Sequence, residues 1–194
     1  MATNRKMSTK TMVLGAVMTA IVIVLQLMGS FIRLGMFSIS LVLVPIVIGA
    51  ALGGKTLSTW LGFAFGLSVL LSGDAASFLA ISVHGTVITV LAKGMLCGLA
   101  AGIVYELFEK MNRTVAVFVS AIICPVVNTA VFAAGCYIFF YEGLKGWLVS
   151  PDFAQYDNVT ALVFLFLIGG NFFVELAANI ILNPVIVRII NIRK

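Results

Sequence analysis

The stretch GAALGGKT, Gly49 to Thr56, admits two incompatible folds. As G-x-x-x-x-G-K-[ST] it would cradle phosphates between a buried strand and an amphipathic helix. As a glycine-rich break followed by a lysine, it would end an apolar helix at a membrane surface. The flanking residues decide. SLVLVPIV (Ser40 to Val47) is apolar enough for the strand, but Pro45 would remove a ladder hydrogen bond from its middle. LSTWLGFAFGLSVLLSG (Leu57 to Gly73) carries no charge at all, unlike the helix that follows a phosphate loop in a soluble sheet. No apolar run ends in an aspartate suited to magnesium. Gly53 and Gly54 therefore read as the end of a membrane helix, and Lys55 as its contact with the headgroups.

Composition agrees. Of 194 residues, 62% are hydrophobic and 10% charged, against about 45–50% and 25% in soluble domains. Such a chain cannot clothe its own surface with polar groups, so its solvent is lipid. Six apolar runs approach the ~20 residues that span a bilayer: Thr11–Phe31, Phe37–Gly53, Leu57–Leu71, Gly85–Phe108, Val115–Tyr141 and Val159–Ile190. The first is long and lacks a small-residue cleavage site, so it reads as a retained span. The expected fold is an all-α integral membrane protein, a single domain over 1–194 with six transmembrane helices in one bundle. Cys97, Cys124 and Cys136 all fall inside apolar runs with no CxxC spacing, which reads as buried free thiols rather than a disulfide framework or metal site.

Charge sets the orientation. With the N-terminus in the cytoplasm, the inner segments hold Arg5, Lys6, Lys10, Lys55, Lys110, Arg113, Arg188, Arg193 and Lys194. The outer loops hold Arg33 and Lys145, together with Asp74, Glu142, Asp152 and Asp157. This positive-inside bias places both termini in the cytoplasm of a cell-membrane protein. The basic residues lie at span ends rather than in a patch, so no nucleic-acid partner is implied. The Glu142–Asn158 loop is long enough to form a lid over an external opening, and the Asn158-Val-Thr160 sequon is a weak motif.

Ionisable groups inside a span cost about 2.5–3.5 kcal/mol each on insertion scales and face a cavity or a partner. Lys93 in span four and Glu175 in span six are at comparable depth, so they either neutralise each other or line a ligand pocket. Asn171, Glu175, Asn179 and Asn183 recur every four residues along one helical stripe. Asn128 adds a mid-membrane amide just after Pro125. Gln26 and His84 lie nearer the outer ends, where a lone histidine without further ligands reads as a headgroup-level hydrogen-bonder. Phe31, Phe37, Phe78, Tyr137 and Tyr141, at the external ends, suit ligand stacking or interfacial anchoring equally. Gly94, Gly98 and Gly102 form a GxxxGxxxG face beside Lys93 that invites close approach of another helix. Ala16 and Ala20, in AVMTA, give span one a small-xxx-small face.

Together these features resemble the substrate-binding (S) component of an energy-coupling factor (ECF) vitamin transporter. The likeness covers nearly the whole chain: its length, six spans, inner termini and the Ala-x-x-x-Ala of AVMTA. The stretch FSISLVLVPIVIGAALGGKTLSTWLGFAFGLSVLLSGD, Phe37 to Asp74, resembles the helix 2–helix 3 region of the pantothenate-type branch. The resemblance implies a non-enzymatic subunit without a cofactor or an ATPase site of its own. It would bind one water-soluble vitamin in its outer half and dock through helix one onto a membrane coupling subunit joined to two cytoplasmic ATPases. By position, Ala16 and Ala20 would be the docking face. Lys93, Asn128, Asn171 and Glu175 would be pocket residues, with Arg33, Asp74 and His84 at its mouth.

A membrane-embedded lysine suits a carboxylate-bearing cargo, which favours pantothenate; riboflavin ranks lower, and folate and queuosine precursors stay open. The rival reading is an ion-coupled secondary transporter or channel with Lys93 and Glu175 as a proton relay. It predicts an inverted repeat, and residues 1–97 and 98–194 show no convincing one. An intramembrane enzyme would need a nucleophile with its base or a set of metal ligands, and neither GxSxG nor HExxH occurs.

Overall fold

The computed structural model of the chain describes residues 9–30, 33–34, 37–38 and 41–192. Its helices are α1 (Thr9–Gly29), α2 (Leu43–Ser72), α3 (Ala76–Ile81), α4 (Val83–Phe108), α5 (Arg113–Phe139), α6 (Tyr141–Trp147), α7 (Val159–Ala161), α8 (Gly170–Ile181) and α9 (Asn183–Ile192). A π-helical segment (Leu162–Gly169) joins α7 to α8, and a 3-10 turn (Pro151–Phe153) follows α6. Between α1 and α2, β1 (Arg33–Leu34) and β2 (Phe37–Ser38) form one short antiparallel ladder. Five helical stretches among the described residues are long and apolar enough to cross a membrane: Thr11–Gly29, Leu43–Ser72, Val83–Phe108, Arg113–Phe139 and Val159–Ile181.

The GAALGGKT segment reverses the chain. The sequence suggests separate spans over Phe37–Gly53 and Leu57–Leu71; instead Phe37 and Ser38 belong to β2, and helix begins at Leu43. Pro45 then falls in the first turn, where a missing N–H costs nothing. The 30 residues of α2 are interrupted at Gly54, whose φ of 70° and ψ of −169° lie in a region that only glycine enters readily. The arms 43–53 and 55–72 fold back on each other: a Cβ added to Gly49 would collide with the Leu61 side chain. Those residues would stand about 18 Å apart in a straight helix. Lys55 opens the second arm against α4. Its Nζ lies 3.1 Å from Glu106 Oε2, and its backbone N–H donates to Glu106 Oε1 at 3.1 Å. The carboxylate thus satisfies a first-turn N–H of that arm.

The expected close approach to the Gly94-Gly98-Gly102 face is made by this second arm. It presents its own Ser58-xxx-Gly62-xxx-Gly66 series, and the two backbones meet where side chains are absent. A Cβ on Gly94 would overlap the Gly62 carbonyl oxygen, and one on Gly98 that of Ser58. Side-chain caps start the neighbouring elements: Ser82 Oγ accepts from Gly85 N–H in α4, and Asn112 Oδ1 accepts from Thr114 and Val115 N–H in α5. Asn158, the sequon residue, accepts from Ala161 N–H at the start of α7.

The apolar interior is divided. One cluster joins α1, both arms of α2, α4 and α5, with Val22, Ile46, Leu61, Phe65, Val90 and Val117 among its members. A second joins Phe78, Cys136, Phe140, Leu144, Leu162 and Leu167, around α6 and the π segment. The long sixth span of the sequence reading stops at Ile181; Leu182 interrupts it, and Pro184 lies in the first turn of α9.

Two substitutions test the glycine geometry. Gly94→Val should lower the thermal midpoint of the detergent-purified protein sharply or prevent its accumulation. Gly54→Ala should cost about 1–3 kcal/mol through backbone strain. Gly146→Ala, where a Cβ meets nothing within 4 Å, should leave the midpoint unchanged.

Candidate functional site

The seam between the two apolar clusters is open. A cavity of about 60 Å³ lies there, with Phe65, Val69, Ala75 and Val90 from one cluster and Phe78 and Phe140 from the other. Its polar lining comes from α1 (Gln26), the α2–α3 turn (Asp74), α4 (Thr86, Thr89, Lys93) and α8 (Asn171, Glu175). A second pocket of about 40 Å³, the side lobe, lies next to it between α5 and the π segment, lined by Lys93, Asn128, Thr129, Phe132, Leu167, Ile168, Asn171 and Phe172. The two lobes share Lys93, Phe132 and Asn171.

Lys93 stands between two aromatic rings, its Nζ 5.5 Å from the centroids of both Phe65 and Phe132. The ring faces attract a cation but accept no strong hydrogen bond from it. Among the described residues the ion pairs are Lys55–Glu106 and Lys145–Glu142, so of the two readings of Lys93 and Glu175 the mutual ion pair is not formed. Glu175, 2% exposed, is turned onto amides instead. Asn128 Nδ2 donates to its Oε2 at 3.4 Å and Asn171 Nδ2 to its Oε1 at 3.2 Å. Lysine and carboxylate therefore face one cavity without touching.

The predicted stripe on the last span is real in part. Glu175, Asn179 and Asn183 are buried along it, and Asn179 Nδ2 donates back to the Glu175 carbonyl at 2.9 Å. Asp74 accepts from Gln26 Nε2 at 2.6 Å and from Ser72 Oγ at 3.1 Å, tying α1 to the end of α2. Gln26 Oε1 and Thr89 Oγ1 are buried with no hydrogen-bond partner among the described residues.

Of the residues singled out in the sequence, Lys93, Asn128, Asn171, Glu175 and Asp74 converge on this bilobed space. His84 is exposed and stands outside the lining. The backbone of Arg33 lies in β1, and its side chain, like all of Phe31, is outside what is described. Phe78 lines the cavity, whereas Tyr137 and Tyr141 stack on each other, centroids 6.3 Å apart, and are exposed. The sequence reading missed Thr86, Thr89 and Thr129. The first two share a helical face with Lys93 by i, i+3, i+7 spacing, a signal that was available. Ala16 and Ala20 are exposed on α1, which buries Gly15, Val22 and Gln26 on the opposite side and leaves Met12, Val13, Val17 and Val24 uncovered.

A family model described as the substrate-specific component of ECF transporters matches residues 10–190. The chain belongs to this family. No curated protein and no solved structure matches it. The chain is thus a multi-pass membrane protein and the substrate-binding subunit of an ECF importer; members of the family are not themselves the ATPases. The family implies a vitamin or other small molecule as cargo and an ECF module as partner. Within this substrate-specific component, the bilobed cavity brings together buried polar groups from α1, α4, α5 and α8.

Because Glu175 depends on its two amides, Asn128→Leu or Asn171→Leu should destabilise the protein by about 1–3 kcal/mol. Adding Glu175→Leu to either variant should restore part of the loss, since no buried charge is then left short of donors. Thermal midpoints in one detergent decide both.

Proposed function

We propose that this substrate-specific component captures a carboxylate-bearing, water-soluble vitamin or related micronutrient, with pantothenate the best candidate, and delivers it with the ECF module. One observation carries the reading. Lys93 is a cation held between rings at the junction of two lobes, with no carboxylate at ion-pair distance among the described residues. An ammonium in such a low-dielectric site needs an anionic acceptor, and a charge-assisted hydrogen bond is strongest there. Glu175, Asn128, Asn171 and Asp74 would supply the remaining polar contacts, with Arg33 and His84 toward the mouth. The length of pantothenate, its hydroxyls and its amide suit a lining rich in acceptors.

Counting the reversal at Gly54 as a crossing gives six spans. The basic excess at Lys55, Lys110, Arg113 and Arg188 then puts that end of the bundle, and both termini, in the cytoplasm of the cell membrane. Gln26 and Asp74 of the cavity lining would then lie toward the opposite, outer end. The uncovered face of α1 around Ala16 and Ala20 is the docking surface for the membrane coupling subunit, which carries the two ATPases.

Mass spectrometry of small molecules that co-purify with the chain tests the cargo directly. Lys93→Ala should weaken pantothenate binding at least tenfold while the protein stays folded; unchanged affinity would make the lysine a packing residue. Ion-driven uptake by the isolated protein in liposomes, with no ATPase present, would refute the assignment. For docking, Ala16→Trp and Ala20→Trp should block assembly with the ECF module and spare cargo binding. Normal assembly of both would exclude this face.

A further inference from the structure

Three threonines of the bundle return their hydroxyl protons to the carbonyl one turn back: Thr19 to Gly15, Thr59 to Lys55 and Thr86 to Ser82. Thr89 does not. It is buried in α4, and its Oγ1 has no hydrogen-bond partner among the described residues. The packing shows what holds it in that state. A Cβ added to Gly135 of α5 would overlap both Oγ1 and Cγ2 of Thr89, so the glycine leaves room for the branched end and fixes its rotamer.

Gln26 is the second case, 2% exposed on α1. Its amide orientation is set, because Nε2 donates to Asp74 Oδ2 and a flipped amide would put two acceptors face to face. Oε1 is therefore a buried group that can only accept, and among the described residues no donor reaches it. Burying a polar atom unpaired costs stability that a partner would restore.

Both residues line the main cavity, in company with Lys93. At about 60 Å³ that cavity takes only a few water-sized groups, so a ligand group inside it stays close to its whole lining. The chemistry of the two atoms is complementary. A hydroxyl or amide N–H can donate to Gln26 Oε1, and the Thr89 hydroxyl can either donate or accept.

We propose that Gln26 and Thr89 are cargo-binding residues that read an uncharged O–H or N–H group, so that the cavity selects a carboxylate whose body also carries a hydroxyl or a secondary amide. Such a cargo satisfies two atoms that the protein by itself leaves unpaired. An apolar acid of the same length satisfies neither, and a site built around hydrogen bonds rejects analogues that lack them. The inference rests on the cargo reading given above and adds to it a second recognition point.

The test is titration calorimetry on the purified full chain with pantothenate and three analogues: two that each lack one hydroxyl, and the ester in which oxygen replaces the amide N–H. Wild-type protein should bind at least one analogue about tenfold more weakly than pantothenate. Gln26→Met should weaken pantothenate about tenfold, yet change the affinity for the analogue that lacks its partner group less than about twofold, as a double-mutant cycle requires of a direct contact. Thr89→Val keeps the shape and removes the unpaired hydroxyl. It should hold or raise the thermal midpoint without ligand and still weaken pantothenate about tenfold, so it decides the matter if Gln26→Met fails to accumulate. Losses of equal size across pantothenate and all three analogues, or full pantothenate affinity in both variants, would overturn the inference and leave the cargo reading intact. Failure of the wild-type protein to bind pantothenate would overturn the cargo reading and the inference with it.

Discussion

The contact on which the rest of the molecule depends is backbone against backbone. Gly62 and Gly94 meet where neither has a side chain, and Ser58 with Gly98 and Gly66 with Val90 continue the contact along the second arm of α2 and α4. In lipid there is no hydrophobic drive to pull two helices together, so close packing of small residues must do it. This seam fixes the separation and register of the two helices. It consequently sets Phe65 of one beside Lys93 of the other, with the ammonium 5.5 Å from the ring.

From there the cavity follows. The main apolar cluster and the aromatic cluster around α6 and the π segment are each well filled, but they do not merge. The gap holds the polar side chains that neither cluster can absorb. Lys93 and Glu175 do not pair with each other: Glu175 has two amide donors and Lys93 two rings. A buried ion pair between Lys93 and Glu175 would be self-sufficient and would offer little to a ligand. Keeping the charges apart on separate supports leaves each able to respond to what enters, which is what a substrate-binding subunit of an importer requires.

Helix α1 is built differently from the others. Its buried side is narrow, running through Gly15, Val22 and Gln26, and most of its remaining surface is apolar and uncovered. Its polar link to the site includes Gln26 Nε2 donating to Asp74 Oδ2 at 2.6 Å. The helix carrying the proposed docking face therefore also touches the cavity. The sequence offered Gln26 only as a polar residue near a span end; its partner 48 positions away could not be read from local pattern.

Composition and charge placement alone determined that this is a membrane protein with helical spans, because a chain with 62% hydrophobic residues has no soluble option. Periodicity marked the Glu175–Asn179–Asn183 stripe and the glycine face of α4, since both are properties of one helix. Tertiary structure decided what those faces meet. It made the break read at GAALGGKT a tight reversal, with Gly54 at a φ of 70° and the two arms packed on each other. It kept Lys93 apart from Glu175, which depth in the membrane had put within reach of each other, because Phe65 and Phe132 flank the ammonium while Asn128 and Asn171 hold the carboxylate. It also brought Thr129 and the π segment to the site, residues with no local mark of their own. Local pattern can show that a polar group is buried in lipid; only the neighbouring helices determine whether it is already satisfied.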